Sequence, residues 1–535
     1  MVSSLGGNRR LVALAFVGAL SLVFLVYANI IRSQTRWNSL PAAGDDFCYL
    51  RQAQLFRSQG MLHGLDTGIR DETARYLLAK VKKLNRLDLA SGIVNPTCHT
   101  YQAATDQAVL QYPPGTGALL ALFPESVSVQ GLYIASTTLI MLIILAAALT
   151  ARTPAMLGAA ATLGSLMLYL MINPAKSSFS VAPTMAASAA LGFLTVAMFE
   201  ARTGRARLLF TAAAGLLIGL AINIRIANAF LAMGFLAVFA VIWLRTRSLP
   251  SFLQGAVFAS LIAIGSIPTL AANAINTGHP FTTPYSGLDT ALPDFSWSNL
   301  SARMLWYFGD THGLLLWISI ALLALFWLRI QRLHLTHAAP ILWLVTANLA
   351  MNMAYFLSHP VSSQYYTVPI AILLIWALFF AFHTSERALA SRPDNDFDAV
   401  PDMLRIRGVL AVVSAVILCV LLGVAAEAVE QNPGKPKPSM PFEPTAVIWA
   451  SESAGFINYY LERHAAPLST VPPETQKIIV ASVAKDRRPQ YFVLDGPDMQ
   501  KLIASAADID SMHLAGQAFG YDVYRLDPEH GDKTD

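Results

Sequence analysis

A succession of apolar runs, each long enough to cross a bilayer, constrains this 535-residue chain more than any other feature. A hydrocarbon layer of about 30 Å needs roughly 20 residues of helix. Runs of that order lie at 11–31, 127–150, 154–173, 180–199, 207–223, 227–244, 252–273, 312–329, 338–358, 363–382 and 404–427. They predict an all-α polytopic membrane protein of about 11 transmembrane helices. Composition agrees: 55% of residues are hydrophobic and 13% charged, where charged residues usually make up about a quarter. The net charge of +4 comes from scattered Lys and Arg, with no basic stripe for a nucleic-acid partner. The first run follows Arg9 and Arg10, is too long for a signal-peptide core and lacks an Ala-x-Ala site, so it is expected to be retained.

Short-loop arginines set the expected orientation. One set of alternate loops carries Arg152, Arg202, Arg205, Arg245, Arg247, Arg329, Arg332, Arg387 and Arg405, while the opposite short loops carry only Lys176, Arg225 and Arg303. The first set is expected in the cytoplasm together with the N-terminus. Residues 32–126, the loop 274–311 and the tail then lie on the outer side of the membrane.

The predicted organisation is a transmembrane domain over 1–427 containing an outer loop at 32–126, a Pro- and Lys-rich linker at 428–442, and a small α/β domain at 443–535. In the outer loop, Asp45 or Asp46 can cap a helix through Leu50, Ala53 and Phe56 that stops at Gly60. A second helix at 71–88 puts Leu77, Leu78, Val81 and Leu84 on one face and Lys80, Lys82 and Lys83 elsewhere. Such a basic amphipathic helix is expected in the membrane interface, the alternative being a solvated face of a loop domain. In the tail, strands are expected at 445–450, 477–483, 490–495 and 521–526, with helices at 452–464 and 498–506.

Ionisable residues are nearly absent inside the apolar runs, unlike the paths of most ion-coupled carriers. Polar motifs collect instead in the outer segments. Gly44-Asp45-Asp46-Phe47-Cys48-Tyr49 follows the first run, and Gln111-Tyr112-Pro113-Pro114-Gly115 precedes the second. Asn276-Thr277-Gly278-His279-Pro280-Phe281 with Tyr285, and Phe308 through Gly313-Leu314-Leu315, come later. In order and spacing these resemble glycosyltransferases of the C fold, in the group of the lipid A aminoarabinose transferases, protein O-mannosyltransferases and rhizobial galacturonosyltransferases. The resemblance covers most of residues 10–385. Where aminoarabinose transferases carry Lys directly before Pro-Pro, this chain has Tyr112.

The resemblance implies an inverting transfer of a sugar from a polyprenyl-phosphate donor to an envelope acceptor, whether glycan, lipid or protein, beside membrane lipids. A phosphate leaving group needs no protonation, so one base suffices where glycosidases generally use two carboxylates. Asp45 holds the motif's first acidic position and is the expected base. Asp46 is expected to orient it or to bind acceptor, the alternative being that the pair only caps the helix. Tyr49, Tyr112, Pro113 and Pro114 are expected to bind substrate, and Lys176, Arg225 and Arg303 are the outer cations available to a leaving phosphate. Snorkelling to the surface is the other reading of Arg225. No metal is expected: His99, His279, His312 and His359 show no ligand spacing. Cys48 and Cys98 share the outer loop on the oxidising side and can form a disulfide or pack as two thiols. A non-enzymatic carrier or flippase for lipid-linked saccharide is the alternative function.

Overall fold

The computed structural model describes residues 44–69, 71–84, 98–125, 128–150, 160, 163, 164, 167, 178–285, 291–309, 313–335, 338–361, 366–390, 442–451, 453–461, 463–468, 473–496, 499 and 512–526. Contacts divide the chain into two compact units. One holds 129–268 and 287–431 with the N-terminal stretch, and the other holds 34–128, 269–286 and the tail from 432. The expected spans at 11–31 and 404–427, most of 154–173, the linker at 428–441 and nearly all of the helix expected at 498–506 lie outside the described residues.

The first unit is helical. Among the described residues, six helices are long and apolar enough to cross a membrane, or seven counting a bent pair. The expected count of about eleven is therefore not reached among those residues. Helix α4 (Ser128–Thr150) precedes these six. The series itself begins with α5 (Val181–Glu200), α6 (Gly204–Ile224) and α7 (Phe230–Thr246). Helices α11 (Gly313–Leu333), α12 (Ala339–Ser358) and α13 (Val368–Ala390) complete it, after the amphipathic α10 (Trp297–Gly309).

The run expected as one span at 252–273 is broken. Helix α8 (Leu249–Gly265) and α9 (Ile267–Thr277) meet at Ser266 with a 48° bend. Pro268 explains the break, since it has no N–H to give the preceding turn and its ring clashes with it. Arg329, expected in a short loop, instead lies within α11 at 2% exposure.

Helix α13 is the centre of the helical unit. Residues 368–385 are 94% buried, packed against α5, α11 and α12. Gly192 of α5 permits the closest approach, because an added Cβ would come 2.8 Å from Trp376 Cβ and 2.9 Å from the Leu373 carbonyl oxygen. Gly219 of α6 does the same against α8, at 2.5 Å from the Ile262 carbonyl oxygen. Lipid is as apolar as leucine, so small residues that bring backbones together drive this kind of packing.

The second unit combines the loop after the first apolar run with the tail. Helix α1 (Gly44–His63) is interrupted by Gly60 at φ +80°. It is followed by α2 (Glu72–Lys83), a hairpin of β1 (His99–Gln102) and β2 (Gln107–Leu110), and α3 (Gly115–Ala121). The tail forms a five-stranded sheet in the order β4-β3-β5-β7-β6, parallel across β4, β3 and β5 and antiparallel beyond. Its strands are β3 (Val447–Ala450), β4 (Ala465–Pro467), β5 (Gln490–Val493), β6 (Met512–Ala518) and β7 (Tyr521–Leu526). Helices α14 (Ala454–Leu461) and α15 (Pro473–Lys485) complete the small α/β domain.

The strand expected at 477–483 is the middle of α15. Its β-branched residues favour a strand locally. Pro473 opens a helix instead, and Ile479, Val480 and Val483 bury one face while Ile478 stays 53% exposed. Strands β4 and β6 were not expected.

Helix α2 does not present its apolar face to lipid. Leu77 and Val81, both 0% exposed, share one core with Trp449, Ala466, Ile479, Val483 and Phe492 of the tail. Burying each such side chain contributes roughly 1.5–3 kcal/mol. The basic face is occupied too. Lys80 Nζ lies 2.5 Å from Asp486, and the Tyr76 hydroxyl donates to the same carboxylate at 2.6 Å. Arg488 pairs with Glu72 and stacks on the Tyr76 ring at 3.8 Å. These partners hold the carboxyls of Glu72 and Asp486 below their ordinary values, through Arg488 and through Lys80 respectively. Tyr76 is pushed up, first by burial and then by Asp486. The expectation of an interfacial helix is thus overturned by a protein core that uses the same face.

Candidate active site

The helix of α1 begins at Gly44, so the acidic pair lies inside its first turn and does not cap it from outside. The side chain of Asp45 lies outside the described residues. Asp46 is wholly buried. A carboxylate at that position sits among amides with no acceptor within the helix, where the positive end of the macrodipole favours its charge. Asp46, Tyr49, Ala53 and Phe56 follow one another at helical spacing along a single buried face.

Tyr49 joins that face to the second motif. Its ring centroid lies 5.0 Å from that of Tyr112, and Tyr112 in turn meets Tyr285 edge-on at 5.9 Å. Three segments far apart in sequence therefore meet in one aromatic row. Each comes from a different motif.

Local chemistry explains how each segment arrives. Cys48 of α1 is bonded to Cys98 through a disulfide, with Cα atoms 6.2 Å apart. Cys98 begins the hairpin, and its carbonyl accepts the Gln111 N–H at 2.9 Å, directly before Tyr112. Pro113 and Pro114 are buried and fix their own φ, and they lead into α3, a seven-residue helix separate from α4. The Pro-Pro segment thus precedes the second apolar run with a short helix between them. Helix α3 lies close on α1: a Cβ at Gly117 would come within 2.5 Å of Gln52 Oε1. Arg57 donates to the Leu120 carbonyl at 2.9 Å, closing the end of α3.

Tyr285 is delivered by the third motif. Gly278, at φ +82°, ends α9 in the left-handed region, and Pro280 prevents its continuation. Asn276, 3% exposed, is fully used. Its Oδ1 accepts the Thr67 N–H at 2.9 Å, and its Nδ2 donates to the carbonyls of Leu65 at 2.8 Å and Ala272 at 2.7 Å. The Thr67 hydroxyl in turn accepts the Leu110 N–H at 3.0 Å. One amide thereby ties α9 to the turn after α1 and, through Thr67, to β2.

The expected cations divide. Lys176 lies outside the described residues. Arg225 follows α6 in the helical unit, its guanidinium 5.1 Å from the Tyr366 ring centroid. Arg303 of α10 donates to the Pro360 carbonyl and, at 3.3 Å, to Asn299 Oδ1, an arrangement that ties α10 to the segment after α12. Among the described residues there is no group of three His, Cys, Asp or Glu arranged to hold a metal. Sequence reasoning gave no role to Tyr285, Gln52 or Thr67. Tyr285 lay within a recognised motif, whereas Gln52 and Thr67 carried no signal at all.

No family model matches the sequence, and no curated protein matches it. Among solved structures, the chain is similar to ArnT from Cupriavidus metallidurans in the apo state, at 13% identity over 96% of this chain and 98% of that chain, with a TM-score of 0.49.

Proposed function

We propose that this chain is a glycosyltransferase of the C-fold type. It would move a sugar from a polyprenyl-phosphate carrier to an acceptor hydroxyl at the outer face of a bacterial inner membrane. The observation that supports this best is the aromatic row Tyr49–Tyr112–Tyr285, which gathers the three motifs on the turn that carries the acidic pair.

In this reading Asp45 takes the proton of the acceptor hydroxyl. The acceptor oxygen attacks the anomeric carbon from the face opposite the phosphate and forms the new glycosidic bond. The bond to the phosphate oxygen breaks, its electron pair leaves with polyprenyl phosphate, and the configuration inverts. Buried Asp46 acts as a positioning residue for the turn. The leaving phosphate calls for cationic donors, which stabilise developing charge. Arg303 donates to the Pro360 carbonyl and so holds the segment after α12.

The test is transfer by the purified full-length protein in vesicles, with a labelled polyprenyl-phosphate sugar and an envelope extract. Acceptor-dependent release of polyprenyl phosphate supports the reading. Movement of intact donor across the bilayer without cleavage would instead identify a flippase.

A further inference from the structure

The second unit contains a polar cavity that the proposed chemistry does not use. Its volume is about 220 Å³. Arg51, Leu55 and Gln59, spaced as one stripe along α1, form one wall. Asp66 and Asp71, His99 from the start of β1, and Asn458 from α14 of the tail form the others. Among the described residues, neither Asp46 nor any tyrosine of the aromatic row lines it.

The walls are held in place. Asp66 accepts the Gly68 N–H at 3.1 Å, and Asp71 accepts the His464 N–H from the tail at 3.1 Å, so each carboxylate has a fixed orientation. The Cys48–Cys98 disulfide fastens the residue before His99 to α1. Helix α14 lies on α1 so closely that a Cβ at Gly455 would meet the Phe47 ring at 3.3 Å.

The chemistry narrows the occupant. Two carboxylates in the wall disfavour an anion. A prenyl chain would meet only Leu55 and Ile69 as apolar side chains. Pockets for drug-sized ligands run to roughly 300–1,000 Å³, so this one suits a smaller molecule. Carboxylates accept, guanidinium donates, and amides and imidazole do both, which matches hydroxyl groups that donate and accept in turn.

We propose that this cavity binds one neutral, hydroxyl-rich sugar ring, supplied by the acceptor glycan, and that the tail is present to complete it. The acceptor assignment rests on the transferase reading, whereas sugar binding itself does not. The experiment measures saturable binding of glucose, galactose and mannose, with inorganic phosphate as a comparison, to the full-length protein by saturation-transfer NMR. At least one sugar binds the native protein, and Asn458→Leu weakens that binding at least tenfold while slow donor cleavage by water is unchanged. Gln59→Leu, at an exposed position, gives the same result if Asn458→Leu fails to fold. No saturable sugar binding, phosphate binding in its place, or sugar affinity unchanged in a folded variant would each overturn the proposal. Donor cleavage persists in every one of those cases if the transferase reading holds.

Discussion

The ring of Tyr112 stands 5.0 Å from that of Tyr49, and this contact joins the Pro-Pro segment to the helix that carries the acidic pair. Aromatic pairs at such separations contribute about 0.5–1.5 kcal/mol beyond the area they bury. A double-mutant cycle with Tyr49→Leu and Tyr112→Leu, read by thermal unfolding, is expected to return a coupling energy of that order. Tyr112→Phe keeps the ring and is expected to preserve stability and donor KM. Strictly additive single effects would show that the two rings do not act together.

The disulfide is expected to act on the same unit. It closes a stretch with a sequence separation of 50 residues. On the chain-entropy model that is worth about 4 kcal/mol, and measured bridges often give less. Peptide mapping without reductant should return Cys48 and Cys98 as one linked pair, and Cys48→Ser with Cys98→Ser should lower the unfolding temperature. Recovery of both as freely alkylated thiols contradicts the structure at this point.

Docking of α2 on the tail is expected to depend on pH. The carboxyls of Glu72 and Asp486 are held below their ordinary values of 4.5 and 3.8. A depressed carboxyl contributes stability that is full above its unfolded pKa and is lost as pH falls through the folded one. The difference in unfolding temperature between the native protein and Glu72→Gln/Asp486→Asn should therefore be constant above about pH 5 and shrink at lower pH. Both groups are partly exposed, so the difference is modest and salt-sensitive. A difference that grows on acidification would reverse the sign of the argument.

The spans were the legible part of this sequence, for a physical reason. A segment in lipid must satisfy its own backbone, so runs such as those at 180–199 and 338–358 can only become helices. The break at Ser266 was foreshadowed by Pro268, but apolarity alone gave one span. The face of α2 shows the opposite limit. Amphipathic spacing says that Leu77 and Val81 are buried, and cannot say against what, because a bilayer and a protein core are equally apolar. Trp449 and Phe492, hundreds of residues away, supply the answer. In the same way, sequence spacing presented the three tyrosine-bearing motifs as separate signals, and the pairing of Asn276 with Thr67 left no trace in either segment. The run Lys477–Val483 misled because its β-branched residues suit a strand locally while the tail's core selects a helix.

The central claim is that Asp45 is the base of a sugar transfer, and its replacement by Asn tests this most directly. The comparison is between native protein and Asp45→Asn in vesicles, with labelled polyprenyl-phosphate sugar, measuring acceptor-dependent turnover and donor binding separately. General-base catalysis typically contributes about 10²–10⁴-fold. The account predicts a turnover loss of at least that order with donor affinity within about twofold of native. Native turnover in a folded Asp45→Asn protein would contradict it.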